Sequence, residues 1–355
     1  MSADTIPVRE AHAFDVERLE RYLAAAVPEV GANLHIQRFA GRPRLLVRQF
    51  SGGQSNPTYL LTAGSEHYVL RRKPPGALLP SAHAVDREFR VIRALHETPV
   101  PVPRAMCYCG DETVIGTAFY VMEYVDGRIF WDHALPGLTP QQRGAVYDEL
   151  SRVIAELHRL DPAAVGLQDF GKPGNYVARQ IARWTKQYRA AELERIDAME
   201  CLIDWLPRNV PLVEPLGLTH GDFRLDNVIF DADELRIRAV LDWELATLGN
   251  PLADFAYSCI GWRLPERLEG LDLAALGIPS EQQYAQAYCR RTGRESISDF
   301  DFYVAFGMFR LAAILQGVAA RALAGNASSA QAAEAGRRAR PMAEAAWSQL
   351  SRIAR

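Results

Sequence analysis

The alternation of apolar and polar positions changes character at about residue 125. Before it, short runs of period two dominate: residues 45–50, 58–62 and 68–71 read as strands, with a turn at 63–66, and residues 105–109 and 118–123 as a further pair. An amphipathic helix precedes them. Phe14 or Asp15 starts it, Leu19, Tyr22 and Leu23 form its apolar face, and Val27-Pro28 ends it. A second helix covers 86–96, with Val85, Phe89, Ile92 and Leu95 at four- and three-residue steps, and Pro99, Pro101 and Pro103 break the pattern after it. Beyond 125 the helical period takes over. Thr139-Pro140 make an N-cap and first helical position for a helix to about Leu160, with Val146, Leu150, Val153 and Leu157 on one face. Helical pattern resumes at 176–188 and 191–206, gives way to a hairpin, and returns from Asn250 onward. The pattern predicts an α+β chain of two lobes: an antiparallel sheet with helices in residues 1–124 and a larger, mostly helical lobe in 125–355.

Composition narrows the setting. With 355 residues the chain is long enough for two cores, and its formal net charge of −3 argues against a general nucleic-acid surface. Five cysteines, an odd number without a C-x-x-C pair, read as core thiols of a reducing compartment, hence the cytoplasm. The first residues carry Asp4, Glu10, Asp15 and Glu17 and no apolar stretch, so they do not read as a secretory signal. Residues 303–324 are strongly apolar but interrupted by Arg310, Gln316 and Arg321, the mark of a buried helix rather than a membrane anchor. The Ala-rich segment 319–346 reads as helix–loop–helix, broken at Gly325-Asn326.

The chemistry is concentrated in LTHGDFRLDNVIFD and RAVLDWELATLG. Asp222 is followed five residues on by Asn227, and twenty residues on by Asp242 at the end of an apolar strand. An acid that accepts the proton of an attacking hydroxyl, an amide ligand and a second acid for the metal are the parts of phosphoryl transfer from a Mg-nucleotide. Asp222 is the candidate base, and Asn227 and Asp242 are the candidate Mg²⁺ ligands. His220 reads as a scaffold residue and Asp254 as a brace for the loop. Glu244 is either an indirect partner of the metal or a surface acid. For the ATP phosphates, the turn Ser51, Gly52, Gly53, Gln54, Ser55, Asn56 offers two glycines for close backbone approach; no G-x-x-x-x-G-K-[ST] occurs. Strand alternation puts Val69 and Arg71 on one face, with Val69 lining the nucleotide pocket and Arg71 as the phosphate cation. Glu88, inward-facing on the 86–96 helix, is its expected partner, since a buried carboxylate needs a cation. Met122, Glu123 and Tyr124 are the candidate adenine-reading hinge.

SGGQSN, YVLRRKPPG, Glu88, FYVMEYVDG, LTHGDFRLDNVIF and LDWELATLGNPLADFAY together resemble the aminoglycoside phosphotransferase and choline kinase family over about residues 40 to 320. The resemblance implies a protein-kinase-like fold, ATP and Mg²⁺ as cofactors, and a small-molecule hydroxyl as acceptor. Arg71 departs from the lysine usual at that position. The wording of YVLRRKPPG and DWELATLGNPLAD looks most like a subgroup found alone in bacteria and fused ahead of acyl-CoA dehydrogenases in animals. That likeness implies a 4-hydroxyacyl-CoA acceptor. Arg263, Arg267, Arg290, Arg291, Arg294 and Arg310 suit a CoA phosphate better than a polycationic drug. An aminoglycoside, choline or sugar kinase is the alternative. A catalytically inactive kinase-like binding module is another, against which stands the intact set Asp222, Asn227 and Asp242.

Overall fold

Six strands form one antiparallel sheet in a computed structural model that describes residues 5–39, 45–51, 56–74, 84–264, 267–323 and 336–353. They are β1 (Thr5–Ile6), β2 (Leu46–Phe50), β3 (Thr58–Ala63), β4 (Glu66–Arg72), β5 (Ala105–Cys109) and β6 (Phe119–Glu123), in the order β1-β2-β3-β4-β6-β5. The register sets Leu60 opposite Val69, Val69 opposite Met122 and Arg71 opposite Tyr120. Alternation then sorts the faces. Tyr59, Leu61, Tyr68, Leu70, Phe119 and Val121 pack with Leu19, Leu23, Val30 and Leu34 of α1 (Val16–Ala26) and α2 (Pro28–Phe39). Val69, Arg71, Tyr120 and Met122 occupy the opposite face.

Asp15 caps α1, accepting from the Arg18 N–H at 2.9 Å. Val27-Pro28 ends α1 as expected, and the proline also opens α2, because a proline without an N–H fits the first helical position. On α3 (Val85–Leu95) the buried set is Val85, Glu88, Val91, Ile92 and Leu95. Phe89, expected among them, stands half-buried, its ring 5.9 Å from Tyr108 and 6.2 Å from Tyr120. Arg72 is the unexpected core residue of this unit. It is 2% exposed, donates to the carbonyl of Ile115 in the short α4 (Glu112–Ile115), and lies over the rings of Phe14 and Tyr59 at 5.2 and 5.7 Å.

Packing divides the chain into two units. The first comprises Met1–Arg128, Val228–Ala232 and Arg238–Glu244; the second comprises Ile129–Asn227, Asp233–Ile237 and Leu245–Arg355. The sequence pattern suggested one cut between 124 and 125, whereas the chain returns to the first unit through β8 (Val228–Phe230) and most of β9 (Ile237–Val240). Paired backbone bonds tie Phe230 to Arg128, both at 2.8 Å, and Val240 N–H donates to Pro101 at 2.9 Å. Such pairing over a hundred residues leaves no trace in local periodicity.

In the second unit, α5 (Pro140–Arg159) starts with a reciprocal cap between Thr139 and Gln142. It is followed by α6 (Tyr176–Ala190) and α7 (Asp197–Trp205); residues 191–196, expected to be helical, lie between these helices. The strands β7 (Gly217–Thr219) and β10 (Thr247–Gly249) pair antiparallel. After them come α8 (Pro251–Ser258), capped by Asn250, α9 (Leu273–Leu276), α10 (Glu281–Thr292), α11 (Phe300–Leu323) and α12 (Ala339–Ile353). The apolar α11 packs on α6, α8 and α12.

Candidate active site

The loop after β7 is held from below by a buried carboxylate. Asp254 accepts from the backbone N–H of His220 at 2.7 Å and of Gly221 at 2.8 Å, and from His158 Nε2 at 3.1 Å. The other ring nitrogen of His158 pairs with the Tyr288 hydroxyl at 2.8 Å. Burial works against the Asp254 anion, yet the His158 hydrogen bond, the charges nearby and the two N–H donors hold its carboxyl below the ordinary aspartate value. His220 is fully buried, and its Nδ1 accepts from the Asp222 N–H at 3.1 Å. It shapes the loop, as the sequence suggested, and Asp254 is the brace. Gly221 has φ 85°, and a Cβ there would lie 2.8 Å from the Leu245 carbonyl, so glycine is required. Its own carbonyl accepts from Arg310 of α11, a contact with no sequence signal beyond a lone arginine in an apolar run.

This frame presents the Asp222 carboxylate, whose side chain is 19% exposed. Asn227 Nδ2 donates to both the Asp222 backbone oxygen and Oδ2, each at 2.9 Å. Arg224 Nε lies 3.4 Å from Oδ1, and burial together with the Asp222 charge raises the Tyr257 pKa. Neither Arg224 nor Tyr257 was singled out from the sequence. An acid that is oriented on one side and open on the other can accept a proton from a docked hydroxyl.

In the first unit Arg71 is the hub. Its Nε lies 3.0 Å from Glu88 Oε2, its Nη2 donates to Asp242 Oδ1 at 2.6 Å, and Glu244 Oε2 stands 3.5 Å away. Burial opposes the guanidinium charge, but Glu88, Asp242 and Glu244 hold its pKa well above the ordinary value. Burial also pushes the Glu88 carboxyl up, partly offset by Arg71 and by donors from Tyr120 at 3.1 Å and Asn56 at 2.7 Å. The structure therefore brings Arg71 and Glu88 together as expected, and makes Glu244 a partner of Arg71 rather than a surface acid. Asn56, expected to help cradle phosphate, is 1% exposed, and its side-chain amide donates to Glu88 at 2.7 Å. Gly52, Gly53 and Ser55 lie outside the described residues, and Ser51 is exposed. Val69 and Met122 are buried opposite one another on the Arg71 face. The Glu123 N–H donates to the Arg104 carbonyl at 3.0 Å, so it is not a donor left for a base; Tyr124 packs edge-on to His67.

The donor chemistry fits a hard divalent cation. Because both groups that Asn227 Nδ2 meets are acceptors, its amide oxygen must face the other way. Asp242, in left-handed backbone at φ 64°, uses Oδ1 on Arg71 and keeps a second oxygen. Asn227 belongs to the second unit and Asp242 to the first.

A profile of the phosphotransferase enzyme family matches residues 46–300. Mouse acyl-CoA dehydrogenase family member 10 is 47% identical over 350 residues, 97% of this chain but 32% of that protein; the chain thus spans about a third of this relative's length. A solved Ralstonia eutropha chain, assigned as a candidate aminoglycoside phosphotransferase, is 48% identical with a TM-score of 0.82, over 96% of this chain and 99% of that one. An aminoglycoside phosphotransferase in ternary complex with ADP and hygromycin B shares the fold, at 17% identity and a TM-score of 0.58, over 89% of this chain and 97% of that one.

Proposed function

The chain belongs to the phosphotransferase enzyme family, and from that premise we propose that it transfers the γ-phosphoryl group of ATP to a small-molecule hydroxyl, with a 4-hydroxyacyl-CoA as acceptor. The observation that carries the reading is Asp222, oriented by Asn227 and by a buried hydrogen-bonded frame, with its carboxylate open to an acceptor. As the acceptor oxygen bonds to the γ-phosphorus, its proton passes to Asp222, the bond to the bridging oxygen breaks, and ADP leaves. Asn227 and Asp242 would hold Mg²⁺, which supplies charge neutralisation for the phosphates when bound. Arg71, fixed by Glu88, is the cation proposed for the phosphates.

Support for the acceptor comes from the acyl-CoA dehydrogenase relative, since a segment joined to such an enzyme acts sensibly on an acyl-CoA. Several arginines expected to meet CoA phosphates are engaged elsewhere: Arg263 pairs with Glu281 and Asp301, Arg291 with Asp148, and Arg310 is in the core. Arg290 and Arg294 are exposed. The aminoglycoside phosphotransferase sharing the fold, bound to ADP and hygromycin B, keeps an aminoglycoside acceptor as the second reading. The reaction is proposed for the cytoplasm, in keeping with five free cysteines.

The test is ADP release by the purified chain with ATP and hydroxyacyl-CoAs, aminoglycosides, choline or sugars. Turnover confined to the hydroxyacyl-CoAs supports the proposal; turnover confined to a cationic acceptor removes the acyl-CoA and leaves the kinase. Asp222→Asn should lower turnover by about 10²–10⁴-fold with nucleotide affinity retained. Survival of activity within a few-fold takes the base role from Asp222.

A further inference from the structure

Two arginines of the second unit, Arg224 against Asp222 and Arg267 within electrostatic reach of Arg224, have no part in the kinase reading. Arg224 is answered by carboxylates, its Nη2 lying 2.8 Å from Asp226 and its Nε 3.4 Å from Asp222. Arg267 is not. Among the described residues no carboxylate lies within ion-pair distance of Arg267, whose hydrogen bond runs from Nη1 to His133 Nε2 at 2.9 Å. Accepting that bond requires a neutral imidazole. Burial first, and then the charges of Arg267 and Arg224, push the His133 pKa down to about 3, so the ring stays neutral. Arg267 is itself opposed by burial and by repulsion from Arg224 and Arg338, while Asp226 and Tyr257 act in its favour. Tyr257, whose ring lies 4.9 Å from the same Arg310 guanidinium that holds the Gly221 carbonyl, feels the charge of Asp222 and acts in turn on Arg267.

The arrangement is braced. The Arg267 N–H donates to the Leu264 carbonyl at 3.0 Å, the Leu268 N–H to Gly261 at 3.2 Å and the Glu269 N–H to Leu264 at 3.2 Å. The carbonyl of His133 accepts from Tyr147 at 2.7 Å, and a Cβ at position 261 would come within 2.9 Å of His133 Nδ1, so Gly261 leaves room for the ring. A partly buried guanidinium fixed by a neutral acceptor keeps most of its five donors and all of its charge for something else. An oxygen acceptor that arrives there meets those donors and that charge together.

We propose that Arg267, braced by His133, holds an oxygen acceptor group of the substrate, a carboxylate or an acyl carbonyl, close to the hydroxyl that Asp222 deprotonates, and so selects oxygen-bearing acceptors over cationic ones. The inference rests on the kinase reading and specifies the substrate class of that site. A 4-hydroxyacyl thioester and its free acid both carry such an oxygen a few bonds from the hydroxyl. An amino-alcohol would place a second cation against Arg267 and Arg224.

The experiment is calorimetric binding to the full chain, with turnover followed in parallel, for wild type, Arg267→Lys and Arg267→Met. The acceptors are a 4-hydroxyacyl-CoA, the free 4-hydroxy acid, the plain alcohol of equal length and the amino-alcohol of equal length. Arg267→Met should weaken binding of the oxygen-bearing acceptors by about 10–100-fold, the range for hydrogen bonds to a charged group, with the loss appearing in acceptor KM more than in kcat. Arg267→Lys should lose less, and the plain alcohol should respond little. Loss for the thioester alone identifies the carbonyl as the group held, and loss for the acid alone identifies the carboxylate. An equal loss for the plain alcohol, or none for either oxygen-bearing acceptor, overturns the proposal. Should Arg267→Met not fold, the wild type decides. It must bind the hydroxy acid or thioester at least about tenfold more tightly than the amino-alcohol, and the reverse order sinks the idea. Arg267-dependent binding without phosphoryl transfer would count against the kinase reading and leave the inference standing.

Discussion

At the scale of single residues, Arg71 and Asp242 separate stability from ligand chemistry. Glu88 is 1% exposed and relies on Arg71 for its counter-charge. Arg71→Ala strands that carboxylate, at a cost of about 3–5 kcal/mol, and should raise the nucleotide KM. Lysine keeps the charge but lacks the fork that reaches Glu88 and Asp242 at once, so Arg71→Lys should fall between wild type and alanine. Asp242→Asn leaves the Arg71–Glu88 pair in place. It should melt near the wild-type temperature while Mg-dependent nucleotide binding falls. Thermal unfolding and calorimetry with Mg-nucleotide check both; if Asp242→Asn binds Mg-nucleotide like wild type, Asp242 is only Arg71's anchor. Half of this hub was legible in the sequence. Strand alternation and helix period put Arg71 and Glu88 on facing surfaces, because both are local rules. The bond from Arg71 to Asp242 spans 171 positions, and no local rule reaches that far. The same limit hid Arg72, whose charge is buried against the rings of Phe14 and Tyr59, and the bond from the Asn56 amide to Glu88.

At the scale of elements, the short loop between β7 and β8 takes its shape from α8. Asp254 sits in the first turn of α8, and its carboxylate spans two consecutive N–H groups of the loop. The sequence revealed the acid and its distance from the motif, which sufficed for a bracing role; His158 and Tyr288 behind it come from α5 and α10 and had no signature. Asp254→Asn should cost about 1–3 kcal/mol and reduce turnover, because one amide cannot accept from two N–H groups and from His158 as a carboxylate does. The pH dependence has a definite sign. The folded-state pKa is depressed, so the stabilisation is fully present above the unfolded aspartate value of about 3.9 and is lost as pH falls through the lower folded value. The stability gap between wild type and Asp254→Asn should therefore be flat from about pH 5 to 7 and close only on stronger acidification. Melting curves across that range measure it, and a gap that widens toward low pH would contradict the linkage.

At the scale of the whole molecule, α11 is the element whose composition is most open to misreading. By length and hydropathy it could cross a bilayer, yet 67% of its most apolar window is buried within the protein, and Arg310 and Gln316 are among its buried side chains. A charge in that position is retained for what it touches. Arg310 lies over the rings of Tyr257 and Trp184 at 4.9 and 5.6 Å and donates to the carbonyl of Gly221. Gly221 is thus gripped on its N–H by Asp254 and on its carbonyl by Arg310, and α11 is mechanically part of the loop that carries Asp222. Replacing a buried ion by an apolar side chain of similar reach is often neutral or stabilising. Arg310→Met should therefore keep the melting temperature within a few degrees. If Asp222 is the base proposed above, turnover should nevertheless fall by about 10–100-fold, since a displacement of Asp222 by an ångström is sufficient for that. Hydrogen exchange at residues 220–223 should accelerate in the variant, with protection in α6 and α12 retained. Unchanged turnover together with unchanged exchange would mean that the loop is set by Asp254 alone and that Arg310 only fills space between two rings.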